Sequence, residues 1–202
     1  AAIVAHRYDE LIAYQGESYA QEYLAHVVRV HTAGLGDDLT GTVAANLYKL
    51  MAYKDEYEVA RLTDDAGFTA DVENAFGTDA RTAVRLHPPV LRALGRREKI
   101  AFGARSRPVL RALAKMKRLR GTALDPFGHT RMRRLERRLA DHYLGTVTGL
   151  ADTLTSQNYD HAVTIAATPE LIKGYEDIKL RSVGAYMSAL TELGVDTAGL
   201  EA

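Results

Sequence analysis

Cysteine is missing from the 202 residues, which excludes a disulfide framework, a thiolate metal site and a cysteine nucleophile. Tryptophan is missing as well, and eleven tyrosines supply most of the aromatic surface, a composition suited to amphipathic packing and not to a recognisable cofactor box. No run approaches the roughly 18 consecutive apolar residues that span a bilayer, since even the apolar stretches around Val43 and Val147 are interrupted by polar positions. The first thirty residues carry Arg7, Asp9, Glu10, Glu17 and Glu22 in place of an unbroken apolar core, and the chain opens on Ala1-Ala2 without Met. That reads as an excised piece of a longer protein without a signal peptide, soluble and cytoplasmic, with no membrane partner.

With 47% hydrophobic and 26% charged residues, the chain has the material for one compact domain or two small ones. Its 26 basic and 26 acidic residues cancel, but they are segregated. Between Arg81 and Arg138 there are 18 Lys and Arg against only Glu98, Asp125 and Glu136, a net +15 that leaves −15 on the remainder.

Apolar residues recur at helical spacing through most of the sequence, predicting a mainly α, multi-helix bundle. A first helix over about 4–14 leads through Gly16 into a second over about 17–32, with Tyr19, Tyr23, Val27 and Val30 as its apolar stripe. Asp37, Asp38 and Thr40 then start a long third helix, one face of which is marked by Val43, Leu47, Leu50, Met51, Tyr57 and Leu62. A polar loop at 63–67 precedes a short turn of helix at 71–76. The alternating stretch 82–87 and a second extended stretch at 98–102 predict a small β-hairpin, which must pack on helices to persist. A basic helix over about 108–119 ends at Gly121, and the loop 122–129 is shaped by Pro126 and Gly128. A long helix from Thr130 to about Leu154 and two further helices, the last over 175–193, complete the chain.

Stepping along the third helix from Leu47 and Leu50 reaches Lys54, then Tyr57 or Glu58, then Arg61. Charges that interrupt an apolar stripe are costly to bury unpaired, so Lys54, Glu58 and Arg61 are expected to form a partly buried structural ion network, a reading that outweighs ligand binding. The seven histidines include no i, i+4 pair, so no metal site is expected. Asp141 and His142 are adjacent, which points them in different directions on a helix. Asp125 and His129, in the loop before Thr130, are the candidate functional loop residues. Gly34-Leu35-Gly36 lacks both a preceding strand and a third glycine, and no nucleophile elbow or phosphate loop occurs. No catalytic, cofactor-binding or metal-binding residue is therefore assigned.

The run from Asn46 to Leu62, NLYKLMAYKDEYEVARL, and the run from Leu119 to Gly128, LRGTALDPFG, resemble signatures of the carboxy-terminal region of fused indolepyruvate (2-oxoacid):ferredoxin oxidoreductases. The similarity continues through Arg134-Leu135-Glu136-Arg137 and into the last two helices, covering most of residues 40–194. The resemblance implies a non-catalytic C-terminal assembly domain at 37–202, preceded at 1–36 by a helical arm from the domain before it. The parent enzyme would decarboxylate 2-oxoacids oxidatively to acyl-CoA with reduction of ferredoxin. Its thiamine diphosphate and [4Fe-4S] groups would belong to upstream domains of the same polypeptide, and none to this segment. The implied partners are those upstream domains, a second copy of the parent in a homodimer, and ferredoxin. In that setting the basic segment 81–138 either packs on acidic flanks or docks ferredoxin or CoA electrostatically. Nucleic acid is disfavoured, because Phe102 and Phe127 are the only aromatics in the segment.

Overall fold

The computed structural model describes residues 1–77, 84–86, 100–102 and 106–200. In chain order its elements are α1 (Ala2–Tyr14), α2 (Glu17–Thr32), α3 (Asp37–Met51), α4 (Glu56–Thr63), α5 (Ala66–Phe76), β1 (Val84–Leu86), β2 (Ile100–Phe102), α6 (Arg107–Lys115), a 3-10 turn (Met116–Leu119), α7 (Arg131–Thr153), α8 (Tyr159–Ala167), a second 3-10 turn (Thr168–Leu171) and α9 (Glu176–Glu192). The protein is mainly α, as its periodicity predicts. The two short strands pair antiparallel, Val84 opposite Phe102 and Leu86 opposite Ile100. Residues 87–99, including the basic stretch Arg92–Lys99, lie outside the described residues. Among the described residues, no helix is long and apolar enough to cross a membrane.

The chain divides into two compact units, one of Ala1–Ala52 with Arg131–Ala202, the other of Tyr53–Thr130. This differs from a boundary at 36/37. The helices α1 and α2 are no arm: Leu11, Tyr14, Tyr23, Val27 and Val30 are buried in the same core as Leu47 of α3 and Leu139 of α7.

In the first unit α3 supplies Leu39, Val43, Leu47 and Leu50, and α7 supplies Leu135, Leu139, Tyr143 and Val147, each set at helical spacing and buried. Burying a side chain of this size stabilises by about 1.5–3 kcal/mol, so the interlocked stripes fix the packing. Polar groups in this core are joined to backbone. Asn46 Nδ2 and the Tyr143 hydroxyl both donate to the carbonyl of Ala166, at 3.1 and 2.7 Å, while Tyr23 and Arg7 donate to that of Ala44. The start of α3 is held from another helix: the amide of Leu39 donates to the Tyr159 hydroxyl at 3.3 Å. Gly36 makes room for that ring, since a Cβ there would stand 2.5 Å from the hydroxyl and its φ of +155° suits only glycine well.

The Tyr186 hydroxyl is one buried group that is not so joined. Its side chain is fully buried and the hydroxyl has no hydrogen-bond partner among the described residues. Burial pushes its ionisation well above the usual tyrosine value, so it stays neutral and simply pays for its desolvation. Tyr186→Phe is expected to raise stability by about 1 kcal/mol, within the range for removing an unsatisfied buried hydroxyl. The urea midpoint of the two proteins measures it, and a lower midpoint for Phe would show that the hydroxyl is satisfied.

In the second unit α6 lies along α4, with Ala60 and Leu110 buried and Val59, Leu113 and Ala114 around them. Tyr53 and Tyr57 of this unit are buried as well.

Candidate functional site: a buried acid, arginine and tyrosine cluster

The expected third helix of about 37–62 is two helices. It stops at Met51, and α4 starts at Glu56 with Asp55 as its N-cap, the Asp55 Oδ1 accepting from the amide of Glu58 at 2.8 Å. A side chain that accepts from the first turn offers the backbone an alternative to continuing the preceding helix. The apolar stripe read across 43–62 is therefore shared between units, with Leu47 and Leu50 in the first core and Tyr57 in the second unit.

The break redistributes the predicted ion network. Glu58 and Arg61 are joined by two hydrogen bonds at 2.8 and 2.9 Å, an i, i+3 pair on α4. Lys54 is an exposed residue of the break, outside both helices. The carboxylate beside it makes the stronger pair. Asp55 receives Nε and Nη2 of Arg120 at 2.5 and 2.9 Å, and the two side chains are only 4% and 3% exposed. A forked guanidinium–carboxylate pair satisfies both charges in a fixed geometry.

Two residues on, Tyr57 lies beneath the pair. The guanidinium carbon of Arg120 is 5.5 Å from the centre of its ring, and Phe127 meets the ring edge-on with centroids 5.1 Å apart. The Tyr57 hydroxyl donates to Asp125 Oδ1 at 2.9 Å. Burial, and then the carboxylate it faces, push the hydroxyl's ionisation far up, so it remains a donor. Asp125 also gathers its own loop: the amide of Gly121 donates to Oδ2 at 2.9 Å and that of Phe127 to Oδ1 at 3.1 Å. Burial alone would raise the Asp125 carboxyl. The Gly121 amide, the Tyr57 hydroxyl and the Phe127 and Gly128 amides outweigh it and hold the carboxyl below the ordinary aspartate value. Two glycines make this possible. Gly121 turns the chain at φ +76°, and a Cβ on Gly128 would collide with the Asp125 carboxylate.

Asp125 thus belongs to the cluster and is buried, whereas His129 is exposed on the far side of the loop sequence. His142, considered beside Asp141, donates from Nε2 to the Asp196 carbonyl at 2.7 Å. The basic segment is partly matched locally: Arg111 to Asp64 at 2.7 Å, Arg120 to Asp55, and Arg133 to Glu136 at 2.6 Å. Positive charge is still crowded, since burial, then Arg61 and Arg120, depress the ionisation of Lys117. Among the described residues no group of three or more His, Asp or Glu is placed to hold a metal.

Sequence reasoning missed Asp55, Tyr57 and Arg120. One signal for Asp55 was present, since Asp55-x-x-Glu58 has the form of a helix start. Nothing local marks Arg120 among eighteen cations.

The chain belongs to the family of unknown function DUF6537, which matches residues 1–192. No curated protein and no solved structure matches it.

Proposed function

We propose that this chain is a non-catalytic assembly segment at the C-terminal end of an indolepyruvate-type 2-oxoacid:ferredoxin oxidoreductase. Thiamine diphosphate and [4Fe-4S] clusters would be held by upstream domains and would supply the decarboxylation and electron transfer. The observation that carries the reading is the use made of the two signature runs. Asp55 and Tyr57 from the first and Arg120 and Asp125 from the second spend their polar atoms on each other and on loop amides. A carboxylate held ionised below its ordinary range is a poor proton acceptor at neutral pH. The cluster therefore suits a structural signature, one that closes a loop and ties it to α4.

Two measurements test this. The purified chain should fold yet show no 2-oxoacid-dependent reduction of a dye acceptor when thiamine diphosphate and CoA are added, and turnover by the chain alone would end the non-catalytic reading. The complete open reading frame should encode thiamine- and cluster-binding motifs upstream. A frame without them removes the link to the oxidoreductase.

A further inference from the structure

Two helices of the second unit carry exposed faces of opposite charge. α5 is 11 residues long, below the roughly 12–15 residues at which a helix is even marginal on its own in water. Yet from Ala70 to Phe76 only Val72 is even half-buried, and Phe76 is 79% exposed. Val72, Ala75 and Phe76 share one face, as i, i+3 and i+4 positions do, with Asp71 and Glu73 on either side of it. There is no basic residue from Leu62 to Ala80.

On α6 and the turn after it the arrangement is inverted. Leu110 faces the small core, while Val109, Ala112 and Met116, at i, i+3 and i+7, are exposed, Val109 by 59% and Met116 by 38%. Beside them run Arg111, Lys115 and Arg118, at i, i+4 and i+7, all exposed. Arg111 reaches Asp64, whereas Lys115 and Arg118 have no ion pair among the described residues. One face is apolar with acidic margins, and the other apolar with a basic margin.

We propose that these faces meet between two copies of the chain, α5 of each copy lying on the basic face of α6 of the other. A two-fold interface must be self-complementary, with the same pair of surfaces used twice, and the second unit holds both halves of such a pair. The association removes Phe76 and Val109 from water and covers the exposed stretch of α5 from Ala70 to Phe76. Two short helices per copy make a small interface, so the dimer forms in the micromolar range and depends on salt. This inference is independent of the parent enzyme proposed above.

Sedimentation equilibrium of the full chain, with three variants, tests it. Wild type should pass from monomer to dimer with concentration at low salt, and the association constant should fall at least tenfold at about 1 M salt, where the screening length is about 3 Å. Asp71→Lys/Glu73→Lys should be monomeric, and so should Lys115→Glu/Arg118→Glu. Mixed in equal amounts, those two reversed proteins should form a heterodimer, because each supplies the charge the other's face now needs. Phe76→Ser should weaken the wild-type dimer while leaving the circular dichroism of the fold in place. A wild type that stays monomeric at every concentration, including one that binds an acidic protein such as ferredoxin through α6, overturns the proposal. A dimer indifferent to all three variants overturns it too, as does a mixture of the reversed proteins that remains monomeric.

Discussion

Arg120→Met should destabilise the second unit by about 3–5 kcal/mol, the cost of leaving a buried charge without its partner. The guanidinium is 3% exposed and forks onto Asp55 through two donors. Methionine fills much of its volume but leaves the Asp55 carboxylate in a site closed to water. Asp55→Ala should cost a similar amount for two reasons at once, the orphaned guanidinium and the lost cap on the Glu58 amide. A cap alone is worth about 1 kcal/mol. Against a whole-protein stability of about 5–15 kcal/mol, either change is large. Removing both charges together, Asp55→Asn with Arg120→Met, should recover a good part of the loss, since the asparagine Oδ1 still caps α4 and no unpaired charge remains. The double-mutant cycle separates pairing from packing. Hydrogen exchange of the Gly121 and Phe127 amides reports on this unit alone. Single changes that leave that exchange as slow as in the parent chain would show the pair to be dispensable.

How much of this was legible in the sequence depends on the range over which each feature is decided. Helices carry their own periodicity, so α2 with Tyr23, Val27 and Val30 lies where its stripe predicts, and the strand pair is recognisable from its alternation and the prolines that follow. The break at Ala52–Asp55 was not legible by periodicity, because Met51 and Tyr57 fall on a continuous stripe although they enter different cores. What decides the break is the Asp55 cap together with Arg120, 65 positions away. A contact that distant leaves no periodic trace. Of the expected network of Lys54, Glu58 and Arg61, the Glu58–Arg61 pair lies within one turn of helix and was legible, whereas the buried Asp55–Arg120 pair beside it was not. Asp125 was legible as a member of a proline- and glycine-shaped loop, but its partner Tyr57 belongs to the other signature run. That α1 and α2 share a core with α3 and α7 was not legible, because the contacts of Leu11, Tyr14 and Val27 are long-range and leave no periodic trace.

Asp125→Ala should cost about 3–5 kcal/mol at neutral pH, because one small side chain collects the Tyr57 hydroxyl and the amides of Gly121 and Phe127, and its loss leaves all three donors buried or half-buried without an acceptor. Tyr57→Phe should cost far less, about 1–2 kcal/mol, since the carboxylate keeps its amides and the ring keeps its contacts with Arg120 and Phe127. Asp125→Asn should fall nearer to alanine than to wild type: its amide would turn an NH2 toward either the Gly121 amide or the Tyr57 and Phe127 donors. The effect depends on pH with a definite sign. The folded carboxyl titrates below its unfolded value of about 3.9, so its contribution is complete above about pH 4 and is lost as the pH falls further, through the folded value. The stability gap between wild type and Asp125→Ala should therefore be flat from pH 7 to about 5 and narrow progressively below about 4. Urea unfolding of both proteins across that range, down to the lowest pH at which both still fold, measures the gap. A gap that stays constant on acidification would mean that the carboxyl titrates alike in the folded and unfolded chain, and a gap that widens would mean that Asp125 holds its loop as a neutral acid.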